Sequence, residues 1–171
     1  MKDQLIAITG FMASGKTTVA RALAARLACK FVDLDELIAA QQQKTITEII
    51  ETGGEDLFRL LETKALAAVL QGSDTRVIAL GGGTGTIAEN QRLLQHQNAF
   101  VVWLDTPFEL CWQRIEAGGE SRPLASSRDQ AHRLYLERHP VYALAQERIV
   151  CGGKDAAEIV KAVAACLRRE A

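Results

Sequence analysis

Short apolar runs alternate with longer stretches of helical spacing along nearly the whole chain. Residues 5–9 are apolar and end on Gly10; from Lys16 the period changes, with Val19, Leu23 and Leu27 falling four apart on one helical face. A strand, a glycine-bearing turn and a helix are therefore predicted in that order. Phe31 and Val32 lead a second strand whose carboxyl end carries Asp33 and Asp35. Thr45 and Glu48 form a capping box that starts a short helix ended by Gly53-Gly54. A longer helix follows over residues 55–71, with Leu57, Leu61, Ala65 and Ala68 on one face and Gly72 as its stop.

Residues 76–80 predict a third strand that runs into Gly81-Gly82-Gly83, followed by a helix near residues 87–97. The fourth strand, residues 99–104, is almost continuously apolar, as a strand buried on both faces should be. Thr106, Pro107 and Glu109 mark the next helix start. Residues 118–128 bear Gly, Ser and Arg without an apolar period and predict a mobile loop, ahead of a helix broken near Pro140. A fifth strand over 148–151 and an Ala-rich helix over 155–168 close the chain, with Arg168 and Arg169 set against the helix's negative end. Five strands alternating with helices imply a three-layer α/β/α fold around a five-stranded parallel sheet.

Composition narrows this picture. A chain of 171 residues with 48% hydrophobic and 24% charged residues fits one globular domain. Twenty Lys and Arg stand against 21 Asp and Glu, and the basic residues are scattered, so no nucleic-acid partner is expected. The longest apolar runs are too short to span a bilayer, and the first residues lack the signal-peptide pattern. Cys29, Cys111, Cys151 and Cys166 form no CxxC pair and read as reduced, packed thiols. A cytoplasmic monomer is the expectation.

Candidate chemistry begins at Gly10-Phe11-Met12-Ala13-Ser14-Gly15-Lys16-Thr17, which matches GxxxxGK[ST] between a predicted strand and a predicted helix. In this P-loop NTPase arrangement the backbone N–H groups of residues such as Ala13, Ser14, Gly15 and Thr18 cradle phosphates, Lys16 reaches the β and γ oxygens, and Thr17 offers its hydroxyl to Mg²⁺. A weaker glycine signal, Gly83-Thr84-Gly85-Thr86-Ile87-Ala88 with Asp105 beyond it, fits a dinucleotide fingerprint. The chain leaves no room for the separate substrate domain that such a dehydrogenase needs.

Several further segments resemble the shikimate kinases over nearly the full length. Gly10 to Thr18 is similar to the family's GFMGSGKST loop, Asp33-Leu34-Asp35-Glu36 to its DLD segment, and Gly54-Glu55 with Phe58-Arg59 and Glu62 to its GE..FR..E helix. Gly81-Gly82-Gly83 resembles its triple glycine, Arg122-Pro123-Leu124 its RPL lid, and Arg138-His139-Pro140-Val141-Tyr142 its R.PLY helix; Leu80 departs from the Ser or Thr usual before the glycines. The resemblance implies a single P-loop kinase domain with a substrate-binding helical insert at about 35–72 and a mobile lid at about 116–128. It further implies ATP and shikimate as substrates and Mg²⁺ as cofactor. Asp35, Arg59, Gly81, Gly82, Gly83 and Arg138 would hold shikimate, Asp33 would support the Mg²⁺ water shell, Arg122 would close over the phosphates and Arg114 would lie against adenine.

Each of these residues also has a plainer reading. Asp35 sits where an open α/β sheet binds ligands and can accept a hydroxyl proton, or it can be the N-cap before Glu36. Asp33, two residues earlier on the same predicted strand, would share its face and point to Thr17. Arg59 and Arg138 suit a two-pronged carboxylate clamp, though each taken singly reads as a surface arginine. Arg122 falls in the predicted mobile loop, and Arg114 could be an ordinary exposed helix residue. His96, His132 and His139 have no role in this chemistry. The rival readings are another small-metabolite kinase of the fold, such as a gluconate or nucleoside monophosphate kinase, and a nucleotide-binding sensor without transfer. A sensor should have lost Lys16, Asp35 or Arg122, and all three are present.

Overall fold

The computed structural model describes residues 4–72, 74–118 and 123–169. Five strands, β1 (Ile6–Thr9), β2 (Lys30–Asp33), β3 (Thr75–Ala79), β4 (Phe100–Asp105) and β5 (Glu147–Val150), form one sheet in the order β2-β3-β1-β4-β5. Every pairing is parallel, as strands joined by helical crossovers require. Among the described residues seven α-helices cover it: α1 (Lys16–Leu27), α2 (Leu34–Gln42), α3 (Ile46–Gln71), α4 (Ala88–His96), α5 (Phe108–Gly118), α6 (Arg128–Tyr142) and α7 (Ala156–Arg169). Short 3₁₀ turns follow β3 and precede α6. The three-layer expectation holds.

Alternation along β1 divides the core. Ile6 and Ile8 point to a cluster with Val19, Leu23, Val160 and Val163 under α1 and α7, while Ala7 faces Leu34, Ile38, Leu66 and Ile78 under α2 and α3. A third cluster of Phe11, Trp103, Phe108 and Tyr142 closes the carboxyl end, where α5 and α6 meet the phosphate loop. From β1 the chain crosses toward one sheet edge and from β3 toward the other, so the carboxyl ends of these neighbours flank a crevice. No helix among the described residues is long and apolar enough to cross a membrane.

Two local readings change and one holds. Asp33 and Asp35 do not share a strand face: β2 stops at Asp33, whose side chain caps α2 by accepting from the backbone N–H groups of Asp35 and Glu36 at 3.0 and 3.1 Å. A helix capped by Asp33, with acidic residues in its first turn and Leu34, Leu37 and Ile38 on its inner side, replaces the extended segment. The expected Thr45–Glu48 capping box is present, and the short helix does end at Gly54 (φ 81°, ψ 168°), a non-helical kink that separates it from the longer helix within α3. Finally, α6 is not broken at Pro140. The bond that proline forfeits lies in the last turn and would have reached the carbonyl of Leu136, a residue 56% exposed, and Ala143 N–H still reaches His139 O at 3.1 Å.

Candidate active site

At the mouth of β1 the chain turns through Gly10 at φ 144°, where an added Cβ would stand 2.7 Å from Leu104 O; no other residue fits there. The loop then passes Ala13, which holds a left-handed φ of 56°, and enters α1 at Lys16. Thr106 Oγ1 donates to Ser14 O at 3.0 Å and ties the loop to the end of β4. Lys16 Nζ folds back to donate to Phe11 O at 2.7 Å. Desolvation pushes the ammonium down to about 8, with the charges of Asp35 and Asp33 working the other way. The hydroxyl of Ser14 is buried with no partner among the described residues, an orphaned polar group in a loop built of donors.

Thr17 Oγ1 donates to Asp33 Oδ2 at 2.5 Å, so a hydroxyl and a carboxylate meet at the start of α1. Two hard oxygen donors beside a phosphate cradle fit Mg²⁺, which keeps much of its water and takes its remaining ligands from phosphate. No cluster of three or more His, Cys, Asp or Glu side chains that could hold a metal is found among the described residues. Ala13 to Thr18, with Asp33, Asp35, Arg114 and the α7 start at Lys154 to Ala156, line a chamber of about 460 Å³. Arg114 is exposed and donates from Nη1 to Ala13 O at 3.0 Å, beside the loop rather than apart from it.

A second chamber of about 600 Å³ opens between α2, α3, the triple glycine and α6. Met12, Asp35 and Gly82 line both chambers, so the two join at these residues. Asp35 stands at this junction in the first turn of α2. Burial and then the nearby Glu62 raise its carboxyl to about 6, against the pull of Lys16 and Arg59, and Oδ1 has no hydrogen-bond partner among the described residues. That oxygen is buried beside Gly81, in the residue at which the two chambers join.

Opposite it, two guanidinium groups lie along the glycines. A Cβ on Gly83 would stand 2.6 Å from Arg59 Nη1 and Nη2, and one on Gly82 would stand 3.2 Å from Arg138 Nη1. Arg59 donates to Glu55 from Nε and Nη2 at 3.1 and 2.8 Å and to Glu62 from Nη1 at 2.9 Å. Among the described residues, three of its five N–H groups are thus engaged, leaving one on each terminal nitrogen, the pair that a carboxylate fork uses. Arg138 is 5% exposed, and no carboxylate among the described residues forms an ion pair with it. A buried cation lining a cleft without a counter-ion calls for an anion.

The structure therefore brings Lys16, Asp33, Asp35, Arg59, Gly81, Gly82, Gly83, Arg114 and Arg138 together; Arg122 lies outside the described residues. Sequence reasoning gave no role to Glu62, which is fully buried beneath Arg59, or to Tyr142, whose hydroxyl donates to Gly82 O at 2.6 Å. Both stood inside quoted motifs. The signal that points to Glu62 is a carboxylate on the apolar face of α3, three residues after an arginine.

The chain is similar in sequence and fold to known proteins. A family model described as "SKI: Shikimate kinase" matches residues 12–168. Shikimate kinase of Persephonella marina is 37% identical over 163 residues, covering 95% of this chain and 98% of the relative; that of Geobacter sulfurreducens is 39% identical over 166 residues, covering 95% and 90%. The solved structure of shikimate kinase from Acinetobacter baumannii in complex with shikimate superposes with a TM-score of 0.90 at 32% identity, covering 98% of this chain and 96% of the other. A gluconokinase from Sinorhizobium meliloti gives 0.71 at 19% identity, a likeness of fold alone. The chain belongs to the shikimate kinase family.

Proposed function

We propose that this chain transfers the γ-phosphate of ATP to the 3-hydroxyl of shikimate, giving ADP and 3-phosphoshikimate for aromatic amino-acid biosynthesis. The observation that carries it is the junction at Asp35: a phosphate chamber and a chamber with two guanidinium groups share this one carboxylate. A small polyhydroxylated acid spans that arrangement, its carboxylate on Arg59 and Arg138 and a hydroxyl at Asp35. Gly81, Gly82 and Gly83 provide a wall without side chains. Residues 35–72 act as the substrate-binding insert, and the segment at 116–128, with Arg122, as the lid.

In the reaction the substrate oxygen bonds to the γ-phosphorus as the bond to the β,γ-bridging oxygen breaks, and Asp35 takes the hydroxyl proton. With its carboxyl near 6, Asp35 is mostly ionised at pH 7 yet basic enough to receive that proton. Lys16 leaves Phe11 O for the β and γ oxygens, and the loop amides and Ser14 hold the remaining charge. Thr17 and Asp33 would hold Mg²⁺, which neutralises phosphate charge. Arg114 borders the base end of the nucleotide chamber, and the chain works as a monomer.

An ADP-release assay across shikimate, gluconate, AMP and CMP tests the reading. Turnover with shikimate alone is expected; strong turnover of any other acceptor overturns it.

A further inference from the structure

Beneath the proposed clamp lies a hydroxyl that neither the phosphate loop nor the acceptor motifs include. Thr84, the first residue after the triple glycine, is fully buried, and its Oγ1 donates to Glu62 Oε1 at 2.5 Å. The other oxygen of Glu62 accepts from Arg59 Nη1 at 2.9 Å. Glu62 is thus a two-ended strut with Thr84 at one end and Arg59 at the other. Thr84 is itself fixed from below. Its carbonyl accepts from Nδ2 of Asn90, another fully buried residue, at 3.0 Å, and its N–H reaches Gly81 O at 3.2 Å.

The contacts around Gly81 show why the hydroxyl is needed. A Cβ there would stand 2.5 Å from Glu62 Oε1, 2.9 Å from Asp35 Oδ1 and 3.0 Å from Thr84 Oγ1. Two carboxylate oxygens therefore converge on one buried point, and like charges so placed push each other away. The Thr84 hydroxyl gives Glu62 Oε1 a proton to face. Without it, that oxygen is a bare buried acceptor beside Asp35, and the carboxylate is free to rotate away and carry Arg59 with it.

We propose that Thr84 is a positioning residue for shikimate: through Glu62 it aims the Arg59 guanidinium at the substrate carboxylate. This rests on the reading of Arg59 as a clamp. Thr84→Ser keeps the hydroxyl and loses a methyl; Thr84→Ala loses both; Thr84→Val keeps the shape and loses only the hydroxyl. Steady-state kinetics of the three, beside Arg59→Lys and with thermal melts of each, separate the possibilities.

Thr84→Val and Thr84→Ala should raise KM for shikimate about tenfold, the loss of a charge-assisted buried hydrogen bond, with KM for ATP within about twofold of wild type. Thr84→Ser should stay close to wild type, and the Thr84→Val effect should largely vanish in an Arg59→Lys background. If Arg59→Lys raises KM for shikimate but Thr84→Val and Thr84→Ala do not, the strut is wrong and the clamp survives. If Arg59→Lys leaves that KM unchanged, the clamp itself fails and this proposal with it. Equal rises in both KM values, or failure of both hydroxyl-free variants to fold while Thr84→Ser folds, make the hydroxyl a packing element and overturn the positioning role.

Discussion

At the scale of the residue, Asp35 shows function and stability pulling apart. A positioned base contributes roughly 10²- to 10⁴-fold, so Asp35→Asn should lower kcat by that factor. In the wild type, kcat/KM for shikimate should fall as pH drops through about 6, where Asp35 takes up its proton. The effect on folding has the opposite sign. An acid whose folded pKa lies above its unfolded value binds its proton more tightly when folded, so its ionised form counts against folding at neutral pH. That penalty is relieved as pH falls from about 6 toward the ordinary carboxylate value. Asp35→Asn should therefore be more stable than wild type by roughly 1–3 kcal/mol at pH 7.5, with a smaller gap at pH 5. Urea melts at the two pH values check it; a variant less stable at pH 7.5 sinks the account. Ala13 carries a second strain of this kind, a left-handed φ of 56° inside the phosphate loop. Relief of that strain exceeds the extra freedom glycine gains in the unfolded chain, so Ala13→Gly should raise Tm by about 1–3 °C.

At the scale of the element, Asp33 joins the start of α2 to the phosphate loop. Oδ1 caps the helix and Oδ2 receives the Thr17 hydroxyl, so two substitutions divide its work. Asp33→Asn keeps an oxygen for the cap and loses the charge; Tm should hold while the Mg²⁺ concentration for half-maximal activity rises. Asp33→Ala loses the cap as well, about 1 kcal/mol, and Tm should fall by roughly 2–4 °C. If both variants melt alike and need no more Mg²⁺, Asp33 has neither task. This segment also marks where the sequence was legible and where it was not. The five strands, the capping box at Thr45 and the phosphate loop were all readable because each is a local pattern of period, cap or glycine. The helix α2 was missed because DLD reads as a strand end: a carboxylate before apolar residues does not reveal whether it caps a helix or ends a strand until the backbone N–H groups find it. The continuity of α6 through Pro140 was missed because the proline rule is local, whereas an exposed last turn tolerates the lost bond. Arg59 and Arg138 were legible only through resemblance, since nothing in a lone arginine's neighbours in sequence says that it is buried beside a glycine.

At the scale of the molecule, the two chambers rest on different elements and share only the junction. The nucleotide side is built on the phosphate loop, α1 and the start of α7, and the acceptor side on α2, α3, the triple glycine and α6. Each ligand should then stabilise the fold through its own cations. A ligand at about 100 times its Kd adds roughly 2.7 kcal/mol, which in a chain of this size raises Tm by about 5–10 °C. If Arg138 grips the shikimate carboxylate as proposed, Arg138→Lys replaces a two-pronged contact with a point charge, so the shift given by shikimate should shrink while that given by Mg²⁺-ATP stays. Lys16→Met should reverse the pattern and abolish transfer, because it removes the charge aimed at the phosphates and keeps the stem's packing. It should also melt higher than wild type without ligand. The folded pKa of Lys16 lies below its unfolded value, so its charged form counts against folding at every pH below about 8, and that penalty fades only as pH rises from there toward 10.5. Thermal melts of the two variants with each ligand form a crossed test. If each substitution removes both shifts, the chambers act as one site and the division at Asp35 is wrong; if Lys16→Met melts lower than wild type at pH 7, its ammonium is held by stabilising contacts rather than poised for phosphate.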